Sequence, residues 1–332
     1  MANIPIRHHI VPQCYLELFT DDKSKLNVFP KDSRPCFSAG VNNVAVRNHY
    51  YSFNNELGEI DAKIEHALSE IEGVTKPILN KICSNGELSD KNKEDLAIFL
   101  GIMTTRNPNF RDGVERFQKQ ILEAIKNMNI DHNPDFRGII DNAPDEIVAA
   151  AGGKEHVADF MKKNMSVVVN PEASLEYIHL GLETSKRLCN MRWRFWVISS
   201  GKYNFVTSDN PCYVTNREVE KTSYGVGIGL AGSRFQFPVS PTIFLVADGH
   251  GDSIEYKDIK DKKQISLFNA RTIRYAESEV YSPVVTDYII SLHRKNKCYA
   301  HKVLVDQVGP YHILRKKLVK NAPDTPGNPP VA

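Results

Sequence analysis

The spacing of the hydrophobic residues changes near residue 191, and this change does most to constrain the fold. From about 57 to 190, apolar side chains recur every three or four residues, as in "IDAKIEHALSEI", which is typical of amphipathic helices. After that point, "RWRFWVISSG" and "SRFQFPVSPTIFLVAD" alternate apolar and polar residues, as half-buried strands do. The chain is therefore predicted to be α+β, with a helical middle layer and a mostly antiparallel sheet in the C-terminal third.

The N-terminal segment predicts a short helix followed by a small hairpin. Pro12 suits the first helical turn, where a missing N–H costs nothing, and the apolar residues of "YLELF" after it fall on one helical face. The stretches 25–30 and 42–53 both alternate apolar and polar residues on either side of the turn-rich "KDSRP". We expect them to be the two strands of the hairpin.

The later segments give further expectations for secondary structure. Ser89 is expected to cap a helix, residues 129–143 are expected to form a loop, and two helices should follow near 144–165 and 171–190. In the C-terminal third, the pattern also predicts short strands at 203–209 and 279–283 and helices near 262–276 and 284–295.

We interpret residues 1–318 as a single globular unit in three parts. These parts are the N-terminal helix and hairpin (1–56), the helical layer (57–190) and the sheet with its helices (191–318). The last segment, 319–332, is rich in proline and has no periodicity, so it is expected to be disordered.

The composition is that of an ordinary soluble protein. The 332 residues include 42 Lys and Arg against 40 Asp and Glu, for a formal net charge of +2. That balance argues against bulk electrostatic capture of nucleic acid, although a local basic groove would be compatible with it. The N-terminus is too polar for a secretory signal, and no stretch approaches the roughly 20 apolar residues of a membrane span. We therefore expect a cytoplasmic protein without a membrane partner.

Several common kinds of site are disfavoured. The six cysteines form no CxxC pair and have no zinc-binding spacing, so we expect free thiols in a reducing compartment. The chain has no glycine-rich phosphate loop followed by lysine, no GxSxG and no HExxH, and "GVGIGLAG" at 225–232 is not followed by a helical pattern.

The first candidate for chemistry is the pair His8 and His9, just before the predicted helix. Free N–H groups and the positive end of the helix dipole make such a place suitable for anions. The stretch "HHIVP" is similar to the motif of His-Me-finger nucleases, and that similarity implies a histidine general base and one divalent metal ion. Asn43 and His49 follow, but within a strand-like stretch and without a metal-binding helix. The alternative is that one histidine packs against the helix while the other is solvated.

Two further clusters combine short polar or basic residues with a proline. In "NFVTSDNPCYV", Ser208, Asp209 and Asn210 stand where a strand meets a turn; they suit either an Asx turn or a site at the rim of a sheet. In "TTRNPNFRDG", Arg106 and Arg111 flank a break between two helices. Their guanidinium groups could bind phosphate or a carboxylate in a bidentate manner; alternatively, Arg106 neutralises a structural acid.

Taken together, these segments resemble the DUF4238 family, a family of bacterial and fungal proteins of unknown function. The matching stretches are "HHIVPQCYLELF", "NNVAVRNHYYS", "LAIFLGIMTTRNPNFR", "WRFWVISSGKYNFVTSDNPCYV", "FPVSP" and "FNARTIRYAESEVYS", which cover roughly residues 5 to 283. The resemblance implies a set of recurring positions: His8, His9, Pro12, Gln13, Tyr15, Leu16, Phe19, Asn43, Arg106, Ser208, Asp209, Asn210 and Pro211. Packing explains the apolar members of this set. It does not explain the polar members, which we therefore expect to form a functional site.

Two functions from different classes fit these residues. In the first, the protein is an intracellular hydrolase, nuclease-like or a toxin or phage-defence effector, acting on a phosphodiester or another anionic substrate. His8 or His9 would be the general base, Asp209 would orient the histidine or hold a divalent metal ion, and Arg106 would stabilise negative charge. In the second, the same groups bind a nucleotide or nucleic acid without catalysis. Gln13, Arg106, Ser208, Asn210 and Asn43 are the expected substrate-binding residues. Both hypotheses predict that the histidines and the "TSDNP" corner share one pocket.

Overall fold

A computed structural model describes residues 7–48, 50, 53–54, 60–61, 63–166, 177–199, 201–218, 226–308 and 311–320. The helices are α1 (Gln13–Leu16), α2 (Lys63–Cys83), α3 (Asp90–Met103), α4 (Pro108–His132), α5 (Pro134–Asp141), α6 (Asp145–Ala151), α7 (Val157–Asn164), α8 (Tyr177–Cys189), α9 (Lys262–Tyr275) and α10 (Asp287–Asn296). Single 3₁₀ turns lie at Glu17–Phe19, Val41–Asn43 and Lys154–His156.

The strands are β1 (Arg7–His9), β2 (Lys25–Pro30), β3 (Phe37–Gly40), β4 (Val46–Asn48), β5 (Phe53–Asn54), β6 (Ile60–Asp61), β7 (Arg192–Val197), β8 (Thr207–Ser208), β9 (Tyr213–Thr215), β10 (Arg234–Ser240), β11 (Ile243–Asp248), β12 (Ile254–Asp258), β13 (Glu279–Ser282), β14 (Tyr299–Val308) and β15 (Tyr311–Lys320). Helices fill the middle of the chain and antiparallel pairing dominates its last third, so the predicted α+β class is confirmed. Within the described ranges, no helix is both long and apolar enough to cross a membrane.

The chain groups into two compact units. One consists of Met1–Arg111, Glu176–Leu304 and Arg315–Ala332, and the other of Asp112–Leu175 and Val305–Leu314. All of the predicted site residues belong to the first unit. The interpretation of residues 1–318 as a single globular unit stays a prediction.

The five-stranded sheet has the strand order β12-β7-β11-β10-β9. Every pair is antiparallel except β12 with β7, which is parallel. Successive side chains of β7 point to opposite faces, so Trp193 and Phe195 belong to the main core, whereas Trp196 packs against a second cluster that contains Phe244 and Phe268. Helix α9 covers part of this second face. The sheet thus separates two apolar layers.

A four-stranded sheet of order β3-β2-β13-β8 contains the predicted hairpin. Its second strand is β3 (Phe37–Gly40), however, and not the stretch 42–53. The 3₁₀ turn at Val41–Asn43 redirects the chain, and Ala45 adopts a φ of 51°, so β4 leaves this sheet and pairs with β1 instead. In that pair, His8 lies opposite Arg47.

Helix ends follow their local capping chemistry. The side chain of Ser89 accepts a hydrogen bond from the N–H of Asn92, and the Asn92 side chain accepts one from the N–H of Ser89, so the predicted cap is confirmed. The expected loop at 129–143 is wrong, because α4 continues to His132 and α5 follows at once. Asn133 accepts from the N–H of Asp135, and Pro134 occupies the first turn, so "NP" starts a helix here.

Helices α3 and α8 approach each other very closely. A Cβ atom at Gly101 would collide with the backbone carbonyl oxygen of Gly181 and would lie 2.9 Å from the amide nitrogen of Ser185. In contrast, a Cβ atom at Gly73 on α2 would meet nothing within 4 Å. Gly101 is therefore required by the close approach of two backbones, which no larger residue permits.

Helix α10 places a buried histidine against β2. The ring of His293 is 9% exposed, and its centroid lies 5.7 Å from that of Phe29. Burial lowers the pKa of His293 to about 4, and the nearby ammonium groups of Lys297 and Lys31 act in the same direction. This imidazole is therefore neutral at physiological pH.

Residues 319 and 320 belong to β15, and the rest of the segment predicted to be disordered, 321–332, lies outside the described residues. The cysteines at positions 14, 36, 83, 189, 212 and 298 are free thiols in the structure.

Candidate functional site

Asp209 sits at the corner after β8 and is fully engaged by backbone. Its carboxylate accepts hydrogen bonds from the N–H groups of Glu277 at 2.8 Å, Ser278 at 2.7 Å and Glu279 at 3.1 Å. These N–H groups belong to the segment that leads into β13, next to β8 in the sheet. Asp209 thus ties the corner to its neighbouring strand, which is a structural task for a carboxylate predicted to be catalytic.

Lys31 carries a positive charge that acts on the Asp209 carboxylate. Its ammonium group donates to the carbonyl oxygens of Ala276 and Tyr299, both at 2.5 Å. Burial raises the pKa of Asp209 to about 6, against the opposing effect of the three N–H donors and of the Lys31 charge. Burial likewise lowers the pKa of Lys31 to about 8, and the charge of Asp209 opposes that change.

Asn210 connects the same corner to the break between α3 and α4. Its Oδ1 accepts from Nδ2 of Asn107 at 3.1 Å, and its own Nδ2 donates to the carbonyl oxygen of Tyr275 at 2.9 Å. The Oδ1 of Asn107 caps α4 by accepting from the N–H of Phe110 at 2.8 Å. Two motifs separated by 103 residues are therefore joined by one amide–amide hydrogen bond.

His9 forms a separate group with Arg106. The guanidinium group of Arg106 donates to the carbonyl oxygen of His9 and forms an ion pair of 2.8 Å with Glu72. The amide nitrogen of Gln13 lies 3.1 Å from Nδ1 of His9. Burial lowers the pKa of His9, although the carbonyl of Val41 and the charge of Glu72 act to raise it. The ion pair with Glu72 matches one of the two roles expected for Arg106, which is to neutralise a carboxylate of the fold.

The remaining predicted residues lie beside these two groups. His8 is 1% exposed and lies in β1. Asn43 is exposed, and its Oδ1 accepts from the guanidinium group of Arg7 at 3.3 Å. Ser208 is buried, and its hydroxyl oxygen accepts from the N–H of Asn210 at 3.2 Å. Arg111 stacks on Tyr50, with 4.6 Å between the guanidinium carbon and the ring centroid.

Tyr15 links the N-terminal helix directly to the "TSDNP" corner. Its buried hydroxyl group lies 2.5 Å from Oγ1 of Thr207 and donates to the carbonyl oxygen of Pro238 at 2.6 Å. Arg106 and Asn107, which are adjacent in sequence, provide a second link, since one binds His9 and the other Asn210. The hydrogen bonds that the Asp209 carboxylate accepts within the described residues come from backbone N–H groups. Tyr15 and Asn107 are thus the side chains whose hydrogen bonds join the motifs. A shared pocket for the histidines and Asp209 stays a prediction.

A cavity of about 320 Å³ opens beside the asparagine pair. We call it the asparagine cavity; it is lined by Thr104, Thr105, Asn107, Phe110, Leu180, Glu183, Thr184, Arg187, Asn210, Cys212, Tyr213, Val214, Val226, Gly227, Ile228 and Tyr275. The two asparagines are buried polar groups among largely apolar walls, while Arg187 and Glu183 are exposed at its rim. The volume falls within the range of small-molecule sites, which are mostly apolar with a few convergent polar groups.

These features define an α+β protein with a ligand-sized cavity beside a buried cluster of motif residues. Among the described residues, no group of three or more His, Cys, Asp and Glu side chains could hold a metal ion. The chain belongs to the family described as "Protein of unknown function (DUF4238)", whose sequence profile matches residues 7–283. The resemblance read from the motifs is thereby confirmed. In the same comparisons, no curated protein and no solved structure matched the chain.

Sequence reasoning missed Asn107, Arg187 and Tyr275 as parts of the cavity. A signal was present for the first, because both asparagines of the pair precede a proline, in "RNPN" and "DNPC". Proline restricts the preceding residue to extended backbone, which holds each amide at a fixed corner. No pattern in the sequence marks Arg187 or Tyr275, whose positions depend on how α8 and α9 pack.

Proposed function

We propose that the protein is a cytoplasmic nucleotide-binding module, and that the asparagine cavity is where the ligand binds, without catalysis. The observation that carries the proposal is the hydrogen-bonded pair Asn107 and Asn210 on the wall of a ligand-sized cavity. Two motifs that lie far apart in the sequence converge on this pair at the wall of the cavity.

The chemistry of the amides supports a ligand with a hydrogen-bonding edge. Each side-chain amide has two N–H donors and an oxygen with two lone pairs. Asn107 Nδ2 uses one donor on Asn210, and Asn210 Nδ2 uses one on Tyr275, so each amide group keeps a second donor. Asparagine pairs well with the edge of a purine, where a donor and an acceptor lie side by side.

The rim of the cavity supports an anionic group on the same ligand. Arg187 lies in the last turn of α8 and is exposed, so its guanidinium group is accessible to the phosphate of a ligand. Apolar side chains such as Leu180 and Val214 complete the walls. A nucleoside monophosphate has a planar base with a hydrogen-bonding edge and a negatively charged phosphate. Its size suits a cavity of about 320 Å³.

Calorimetric titration with the 5′-monophosphates of adenosine, guanosine, cytidine and uridine tests this proposal. We expect one or more purine monophosphates to bind with a Kd of about 1 mM or tighter. Arg187→Glu should weaken that binding about tenfold or more, because it places a negative charge beside the phosphate.

Lys186→Glu is the matched control, since Lys186 is the preceding residue on α8, is exposed, does not line the cavity and pairs with Glu183 at the surface. It should leave the Kd within about twofold, because exposed charges away from the ligand are screened. The proposal fails if no monophosphate binds, or if both charge reversals weaken binding equally.

A hydrolase remains a second candidate, supported by one observation. Burial lowers the pKa of His9, which favours the neutral imidazole that a general base requires, and Arg106 donates to the carbonyl oxygen of the same residue. As a toxin-like or phage-defence effector, the protein would cleave a phosphodiester, with or without an added divalent metal ion. His9→Asn should then abolish cleavage of single-stranded RNA or DNA while the melting temperature stays within a few degrees. Cleavage that persists in His9→Asn would exclude this role for His9.

A further inference from the structure

The second face of the five-stranded sheet carries a cavity that neither function above uses. Helix α9 covers part of this face through Phe268, which stacks on Phe244 with 4.4 Å between ring centroids. Beyond this contact, the face opens into a cavity of about 410 Å³ between β7, β10, β11 and α9. The alternation of the strands brings Arg194 and Trp196 of β7 to the same side as Arg234 and Gln236 of β10. We call this cavity the basic cleft.

Positive charge dominates the lining of the basic cleft. Its cations are Arg194, Arg217, Arg234, Lys263 and Arg271, and its carboxylates are Asp248 and Asp261. One carboxylate caps a helix, and the other is shared between two arginines. Asp261 caps α9 by accepting from the N–H of Lys263 at 2.9 Å, and Asp248 lies between two arginines, 3.6 Å from a nitrogen of Arg192 and of Arg234. The lining therefore keeps an excess of positive charge, although Arg234 pairs with Asp248, and Arg194 pairs with Glu255, which does not line the cleft.

Two of these guanidinium groups make long contacts with neighbouring side chains. Nε of Arg194 is buried and forms a long ion pair of 3.6 Å with Oε2 of Glu255, but it has no hydrogen-bond partner in the described structure. The guanidinium group of Arg271 makes a long contact of 3.5 Å with Oε1 of Gln236. Gln236 is itself 1% exposed and donates to Thr215, so its orientation is fixed. Long contacts of this kind leave part of the hydrogen-bonding capacity of a guanidinium group for the oxygen atoms of a ligand.

We propose that the basic cleft binds a small phosphorylated molecule that carries at least two negative charges. Guanidinium groups match phosphate oxygens in pairs, and several of them around one cavity suit a group with more than one charge. A concave cavity favours a small molecule over a nucleic acid, which typically binds along an extended basic stripe. The formal net charge of +2 also gives the chain no general affinity for polyanions. This site is independent of the asparagine cavity, since the two share no residue.

Trp196 provides a direct reporter for the experiment. The chain has two tryptophans; Trp196 lines the cleft, whereas Trp193 is 1% exposed in the main core. Inorganic tripolyphosphate is the probe, since it offers charge without a base and therefore does not depend on the nucleotide proposal. We expect a saturable change in fluorescence with a Kd of about 100 µM or tighter in about 0.1 M salt. The change should be lost in Trp196→Phe.

Alanine variants inside and outside the cleft distinguish binding in the cleft from a general effect of positive charge. Arg234→Ala, at an exposed position, and Arg271→Ala should each weaken tripolyphosphate binding about tenfold. Lys263→Ala should weaken it about threefold, whereas Lys260→Ala, an exposed lysine three residues earlier that does not line the cleft, should change it by less than about 1.5-fold.

Three outcomes would overturn the proposal. The first is the absence of saturable binding, and the second is an equal effect of Lys260→Ala and Lys263→Ala, which would indicate bulk charge. The third is tighter binding of single-stranded oligonucleotides than of tripolyphosphate, with affinity that grows with length and falls steeply with salt. That result would make the occupant a nucleic acid backbone.

Discussion

Replacement of Asp209 by alanine should destabilise the protein strongly, because its carboxylate holds the segment that leads into β13. Asp209→Ala removes three hydrogen bonds between 2.7 and 3.1 Å and leaves the N–H groups of Glu277, Ser278 and Glu279 without their acceptor. An unmet buried donor costs about 1–3 kcal/mol. Ser278 is exposed, so water can replace part of the loss. The lower figure for each donor then gives about 3 kcal/mol in total.

Urea denaturation followed by tryptophan fluorescence measures this loss, since Trp193 and Trp196 belong to the same compact unit as Asp209. The matched control is Asp21→Ala. Asp21 also accepts two backbone N–H bonds, from Lys23 and Lys25 at 2.9 Å, but it lies at the surface. Its loss should cost less than about 1 kcal/mol, because water satisfies both donors.

A stability of Asp209→Ala within about 1 kcal/mol of the wild type would refute this reasoning. The carboxylate would then be free for the catalytic role that the sequence suggested. A large loss instead assigns Asp209 to the fold, whatever the protein does to its ligand.

Three further substitutions test other parts of the account. Tyr15→Phe should lower the free energy of unfolding in urea by about 1–3 kcal/mol, because it removes two short buried hydrogen bonds. Tyr213→Phe should lower it clearly less, because the hydroxyl contacts of Tyr213 are 3.3 and 3.4 Å long. An equal loss of stability in the two variants would contradict the link from α1 to the corner. Gly101→Ala should lower the melting temperature sharply, because its Cβ atom would collide with α8. Gly73→Ala, where a Cβ atom meets nothing within 4 Å, should raise the free energy of unfolding by about 0.5–1 kcal/mol. An alanine that is tolerated at position 101 would disprove the close helix contact. For His293, whose folded pKa of about 4 lies below its ordinary 6.5, the unfolded chain binds more protons between these values, so stability falls as the pH drops from 6.5 to 4. His293→Gln should lose that part of the pH dependence; an unchanged profile would show that the histidine does not titrate in this way.

Much of the fold could be predicted because one face of each element is buried. The change from a helical to an alternating period near residue 191 marks the start of β7 at Arg192. In contrast, the pairing of 42–53 was wrong because alternation reveals a strand but not its partner, and the turn at Val41–Asn43 decides that partner. The helix α5 was missed because Asn133 and Pro134, which begin it, also occur in loops.

The candidate site could be predicted only in part, since it depends on contacts between distant segments. The sequence singled out Asn210, yet its partner Asn107 lies 103 residues away, and no local pattern specifies that contact. Asp209 was placed in the expected catalytic group because an isolated carboxylate at a corner looks chemically available. Its three backbone donors arrive from residues 277–279 and become visible only when β13 lies beside β8.

The most direct test of the central claim observes the two asparagines themselves while a nucleotide binds. In a ¹⁵N-labelled, deuterated sample, the side-chain NH₂ resonances of Asn107 and Asn210 can be assigned by their loss in Asn107→Ser and Asn210→Ser. Addition of a purine monophosphate should shift both pairs of resonances along one binding curve, with the same Kd as the calorimetric titration. Binding that saturates while both pairs of resonances stay in place would contradict the claim that this cavity receives the base.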